Sequence, residues 1–63
     1  MLSERIKKFR KEREYTQEQL AKAAHITYAT LIKLESGVNT NPTLKTLKRI
    51  SRALNVPITK LIS

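Results

Sequence analysis

Residues 16–37 decide the fold, and they read TQEQLAKAAHITYATLIKLESG. Thr16 and Gln19 match a capping box, in which each side chain bonds the main-chain N–H of the other residue at the start of a helix. Tyr15 before the cap and Leu20 inside the helix form a hydrophobic staple. A helix is therefore predicted to start at Thr16. Its inward face carries Leu20, Ala21 and Ala24.

A second helix follows almost at once. Thr27 is a favourable N-cap, and Ile26 and Leu31 form a second staple. Leu31 and Leu34 share the inward face. Gly37 stands where a left-handed residue commonly ends a helix.

The connection between these two helices is very short, since only about His25 and Ile26 separate them. Such a connection favours a steep crossing, as in a helix-turn-helix, over an antiparallel hairpin. The small side chain of Ala21 would allow close approach at the crossing.

The segment before this pair also has a helical pattern. It begins at Ser3, a favourable N-cap, and carries Ile6 and Phe9 on one face. We expect it to end near Arg13 or Glu14.

After the pair, Pro42 and Thr43 precede a fourth helix. Its apolar residues follow helical spacing at Leu44, Leu47, Ile50 and Leu54. Asn55 can take the left-handed position that ends this helix, and Pro57 blocks its continuation.

A last short turn carries two apolar residues, Ile58 and Ile62. No alternating run or hairpin turn indicates a strand, so the sequence predicts an all-α domain of five helices.

Charge limits the classes of partner. The 63 residues contain 13 Lys and Arg against 5 Asp and Glu, a formal net charge of +8. A chain with this much positive charge has three classes of possible partner: nucleic acid, an anionic membrane surface or an acidic protein. No membrane span or signal peptide fits, and the caps and breakers specify a bundle rather than one surface helix.

Enzymatic and metal chemistry are not predicted. The chain has no cysteine, which excludes a thiolate metal site, and its single histidine, His25, is interpreted as a turn residue. No acid pair, nucleophile–base pair or glycine-rich phosphate loop is present. We therefore expect no catalytic residue, metal, cofactor or small-molecule ligand.

The sequence resembles the XRE-type helix-turn-helix family of lambdoid phage repressors and Cro proteins over residues 3–62. The resemblance rests on TQEQLA (16–21), IT (26–27), LIKLESG (31–37), PTLKTL (42–47), ALNV (53–56) and KL (60–61). It implies one compact, lambda-repressor-like DNA-binding domain over residues 1–63, usually dimeric, whose third helix enters the major groove. Two positions depart from the family: His25 replaces a common Gly, and Pro57 replaces the usual cap of the last helix.

Four side chains on the third helix point away from its inward face and are the predicted base-reading set: Tyr28, Ala29, Ile32 and Lys33. Lys33 can donate to guanine N7 or O6, and Ala29 can touch a thymine methyl. For Ile32, packing under a loop or a partner-binding patch stays open beside a thymine contact. By the resemblance, Tyr28, Ala29 and Lys33 match base-reading positions of the family.

Phosphate contacts are expected from helix N-termini and short polar side chains. Gln17 matches the phosphate-clamping Gln of the family. The predicted phosphate-binding set is Gln17, Thr27, Ser36, Asn39, Thr40, Asn41 and Thr43. Residues 36–63 add five Lys and Arg without any acid.

One pair is predicted to be structural. Arg10 lies on the same face of the first helix as Ile6 and Phe9, and Glu35 closes the third helix. In the family that the sequence resembles, an Arg and a Glu at matching positions form a buried ion pair, and we expect the same of Arg10 and Glu35.

These features predict a sequence-specific regulator of transcription that binds double-stranded DNA. We expect a cytoplasmic, nucleoid-associated repressor that binds a palindromic operator as a homodimer, with Val56, Ile58 and Ile62 as candidate dimer contacts. The alternative is an antitoxin-like or protein-interaction subunit that works with a separate partner protein. Such proteins usually carry a second segment, so the 63 residues favour the regulator.

Overall fold

The computed structural model describes residues 1–62, and this part of the chain forms five helices and no strand. The helices are α1 (Leu2–Glu12), α2 (Gln17–Ala24), α3 (Tyr28–Glu35), α4 (Leu44–Leu54) and α5 (Ile58–Ile62). The predicted all-α, five-helix fold is thereby confirmed.

All five helices surround one apolar core. Helix α1 packs against α3 and α5, α2 packs against α3 and α4, and α4 contacts α5. The buried side chains are those of Ile6, Leu20, Ala21, Ala24, Leu31, Leu34, Ile50, Leu54 and Leu61. Burying a large aliphatic side chain contributes about 1.5–3 kcal/mol, so this cluster fixes how the helices lie. Within residues 1–62, no helix has the length and apolar character needed to cross a bilayer.

Two apolar residues lie differently from their sequence pattern. In α5 the fully buried residue is Leu61, whereas Ile62 is 60% exposed, because α1 and α4 cover only one side of this short helix. Leu44 begins the apolar row of α4 but is also 60% exposed.

Three threonines begin helices as predicted. Thr16, Thr27 and Thr43 each accept a hydrogen bond from the main-chain N–H three residues later, and Thr16 with Gln19 forms the full capping box. The predicted cap at Ser3 is wrong. Helix α1 begins at Leu2 with Met1 as N-cap, because Leu2 packs against the core and Arg5 N–H donates to the Met1 carbonyl at 3.1 Å.

Left-handed residues follow four of the helices. Gly37 and Asn55 were predicted there, with φ angles of 82° and 56°, and His25, which was interpreted as a turn residue, has φ 57°. Glu14 joins them with φ 58° after α1 and was not predicted. Glu14 N–H donates to the Lys11 carbonyl at 2.9 Å. This is a hydrogen bond expected where a helix ends with a left-handed residue.

Candidate nucleic-acid interface

Helix α3 has one buried side and one open side. Leu31 and Leu34 are fully buried, which anchors the helix on the core. On the opposite arc, Tyr28 is 50% exposed, Ala29 and Lys33 are exposed, and Ile32 is half-buried. At 100° per residue, the four predicted base-reading residues span about 140° of the helix surface. They therefore form one face, which we call the open face of α3.

The turn between α2 and α3 holds this helix in place. His25 has φ 57° and ψ 41°, and Ile26 N–H donates to the Ala21 carbonyl at 3.0 Å. Arg49 of α4 donates from Nη1 to the His25 carbonyl at 3.3 Å. The turn is thus bonded both to the helix before it and to α4, so α2 and α3 form a fixed unit.

The N-terminus of α2 carries Gln17 as its first residue. The capping box uses Gln19 N–H, which donates to Thr16 Oγ1 at 3.1 Å, and Thr16 N–H, which donates to Gln19 Oε1 at 2.8 Å. The first main-chain N–H groups of a helix lack intrahelical partners and favour an anion. Gln17 is half-buried, and its Nε2 donates to Glu35 Oε1 at 3.0 Å.

The loop between α3 and α4 is ordered by its own polar groups. Ser36 Oγ donates to the Lys33 carbonyl at 3.3 Å, and Asn39 Oδ1 accepts from Asn41 N–H at 3.0 Å. Thr40 and Asn41 are exposed. The loop thus presents polar groups to solvent between α3 and α4.

Two of the predicted phosphate-binding threonines also serve as caps. Thr43 Oγ1 donates to Thr46 Oγ1 at 3.0 Å, and Thr27 Oγ1 shares a 2.7 Å hydrogen bond with Thr30 Oγ1. A phosphate contact from the Thr43 hydroxyl would require that hydroxyl to rotate away from Thr46. The main-chain N–H groups at these two helix starts need no such change.

Arg10 and Glu35 form the ion pair that was predicted. Arg10 donates from Nε to Glu35 Oε2 at 2.7 Å and from Nη2 to Oε1 at 3.1 Å. The side chains are 12% and 2% exposed. A third donor, Nη1, reaches the Tyr15 carbonyl at 2.9 Å, so the pair also fixes the loop that leads into α2.

Two features of this region were not found from the sequence. Arg49 was counted as part of the basic surface, but it bonds the helix-turn-helix turn from 24 positions away, and no local pattern signals such a contact. Lys45 was counted only in the bulk charge, yet it is exposed in the first turn of α4, beside Thr43. Its place two residues after the helix cap at Thr43 was the signal that could have found it.

Known proteins resemble the chain in sequence. The family model described as Helix-turn-helix matches residues 6–61. The HTH-type transcriptional regulator SinR of Bacillus subtilis (strain 168) is 34% identical over 62 residues, which are 98% of this chain and 56% of SinR. The regulator SlrR of the same strain is 38% identical over 61 residues, 97% of this chain and 40% of SlrR. The chain thus spans about half the length of such relatives.

Solved structures resemble it in three dimensions as well. The crystal structure of SinR, the master regulator for biofilm formation, in complex with DNA superposes with a TM-score of 0.97 and 33% identity, over 100% of both chains. The SinR protein in complex with the SinI protein superposes with a TM-score of 0.96 and 33% identity, over 100% of this chain and 61% of the other. By its sequence and by the geometry of α2 and α3, the chain belongs to the helix-turn-helix family.

Proposed function

We propose that the protein is a transcriptional regulator that binds double-stranded DNA in a sequence-specific manner. The observation that carries the proposal is the open face of α3, which lies opposite the fully buried Leu31 and Leu34, on a helix whose last residue, Glu35, accepts a hydrogen bond from Gln17 at the start of α2. A helix presented in this way fits the major groove. The similar fold of SinR was solved in complex with DNA, which supports the same use of the surface here.

On this proposal the open face of α3 reads bases. The Lys33 ammonium donates to guanine N7 or O6, which only the major groove presents together. The methyl of Ala29, with Ile32 behind it, contacts a thymine methyl. Tyr28 offers both a hydroxyl and a ring at the first turn of the helix, where side chains reach deepest.

Phosphates on either side are bound from the two neighbouring helix starts. Gln17 offers its amide and main-chain N–H at α2, and Asn39, Thr40, Asn41 and Thr43 offer theirs before α4. Lys45 adds a cation to the first turn of α4, where the helix dipole disfavours a positive side chain. A bound phosphate would offset that cost, which favours Lys45 as a further phosphate contact.

We further propose that the protein represses transcription as a homodimer, and the same geometry supports this. Two copies would place their α3 helices in successive major grooves about 34 Å apart, and occupied promoter DNA would exclude other proteins. The half-buried Val56 and Ile58 and the exposed Ile62 supply an apolar surface for the second copy.

A protein-interaction subunit is the second candidate. Met1, Val38, Leu44 and Ile62 are large apolar side chains that are 60–78% exposed. SinR was also solved with the SinI protein, which supports a protein partner for chains of this kind. This role is compatible with DNA binding, and a partner would then control access to the operator.

Selection of bound duplexes from a random pool tests the main proposal. We expect enrichment of a two-fold symmetric motif whose half-sites are centred about 10–11 base pairs apart. A single half-site without a mate would contradict the homodimer. A pool that stays unenriched would contradict sequence-specific binding and favour the protein-interaction subunit.

A further inference from the structure

Glu35 occupies an unusual place for a carboxylate. It is the last residue of α3 and its side chain is 2% exposed, although the carbonyl end of a helix disfavours negative charge. Arg10 offsets this cost with two hydrogen bonds. Glu35 Oε1 nevertheless accepts a further bond, from Gln17 Nε2 at 3.0 Å. The carboxylate therefore touches the side chain that we propose binds phosphate.

This contact selects one orientation of the Gln17 amide. A carboxylate can only accept hydrogen bonds, so the amide must turn its nitrogen, not its oxygen, towards Glu35. The Nε2 group has two hydrogens, and the contact uses one of them. The second hydrogen is left for a ligand.

The Glu35 carboxylate is itself held in place by several hydrogen bonds. Arg10 is bonded to both carboxylate oxygens and to the Tyr15 carbonyl, two residues before Gln17. Among the described residues, no buried polar side-chain atom lacks a hydrogen-bond partner. A side chain locked by a satisfied network loses less conformational freedom when it binds.

We propose that Glu35 is a positioning residue for DNA binding: through its hydrogen bond it holds the Gln17 amide with one N–H directed at a backbone phosphate. The inference rests on the proposed function and deepens it. It assigns to the buried ion pair of Arg10 and Glu35 a role in affinity besides its role in stability.

A double-mutant cycle tests this role. Duplex affinity is measured for the wild type, Glu35→Gln, Gln17→Ala and the double variant, at a temperature where circular dichroism shows all four folded. We expect Glu35→Gln to weaken binding about fivefold in the wild-type background and less than about twofold beside Gln17→Ala, since residues that act through one contact are not additive. Glu18→Gln, on an exposed glutamate of the same helix start, controls for the lost charge.

Equal losses in both backgrounds would show that Glu35 does not act through Gln17 and would overturn the inference while leaving the proposed function intact. A wild-type chain that binds no duplex would instead overturn the proposed function and the inference with it.

Nuclear magnetic resonance of the wild type gives a second readout that needs neither DNA nor a folded variant. The amide of Gln19 is the internal control, because it is held through its oxygen by Thr16 N–H. We expect one Nε2 proton of Gln17 to lie downfield and exchange slowly, relative to both protons of Gln19. Two Gln17 protons that behave like those of Gln19 would overturn the inference.

Discussion

Arginine and lysine side chains differ in what they contact. Arg13 Nε donates to the Leu54 carbonyl at 2.9 Å, Arg5 Nη1 donates to the Lys60 carbonyl at 3.2 Å, and Arg49 Nη1 donates to the His25 carbonyl. Each of these bonds joins parts of the chain that are at least 24 positions apart. A guanidinium offers a planar set of donors for such contacts, whereas an ammonium is strongly hydrated. The lysines are therefore the better candidates for direct contact with DNA phosphates, whereas the bonded arginines keep their charge within the net +8 and contribute longer-range attraction.

Lys33 gives the sharpest test of base reading. Lys33→Ala is expected to reduce discrimination at one base pair of each half-site by about 1–3 kcal/mol, because the guanine contact is lost. Affinities for a set of operators that differ at single positions measure this effect. Lys60→Ala, which removes one charge from α5, should leave the pattern of preferences unchanged. A uniform loss over all operators for Lys33→Ala would contradict base reading.

Glu35→Gln tests the buried ion pair in the absence of DNA. The change leaves the Arg10 charge buried without its partner, so we expect the free energy of unfolding to fall by about 3–5 kcal/mol. Thermal denaturation should show a melting temperature lower by more than about 10 °C. Glu18→Gln makes the same chemical change at an exposed position and should stay within about 0.5 kcal/mol of the wild type. An unchanged melting temperature for Glu35→Gln would show that the pair contributes little.

At the scale of the helices, local chemistry explains why starts were easier to predict than contacts. The cap at Thr16 depends on residues within three positions, so its sequence contains the whole signal. The prediction of a cap at Ser3 was wrong because the packing of Leu2 extends α1 towards the N-terminus. That packing depends on residues that are distant in sequence. The bond from Arg13 to Leu54 joins residues 41 apart, and nothing near either residue indicates it. The pairing of Arg10 with Glu35 was predictable only from the family resemblance.

The end of α1 offers a matched test of backbone strain. Glu14 has φ 58°, where a side chain costs about 1–2 kcal/mol, whereas Glu12 lies within the helix. Glu14→Gly relieves that strain at the expense of a more flexible unfolded chain, so we expect a net gain of about 0.5–1 kcal/mol. Glu12→Gly removes the same charge and should destabilise by about 0.5–1 kcal/mol. Denaturant unfolding of both variants measures the difference, and a loss at Glu14 equal to that at Glu12 would contradict the strain.

At the scale of the whole molecule, size bears on the proposed homodimer. The chain measures 22 × 21 × 19 Å between its Cα extremes, whereas successive major grooves on one side of a duplex are about 34 Å apart. One molecule can therefore place α3 in only one groove. A symmetric operator of two half-sites would need two molecules, each with its own α3 and its own phosphate contacts.

Salt dependence then reports on the whole assembly. If each molecule neutralises about three to four phosphates, a bound dimer should show a slope of log affinity against log salt near −5 to −7, at about 0.9 per phosphate. Lys45→Gln should make the slope shallower by about 2, one phosphate for each copy. Arg13→Gln removes the same charge, but its guanidinium bonds the Leu54 carbonyl, so the slope should stay as in the wild type. Titrations between about 50 and 200 mM salt measure all three slopes. Equal slopes for the two variants would contradict the division of roles between lysine and arginine, because a bulk effect of net charge does not distinguish them.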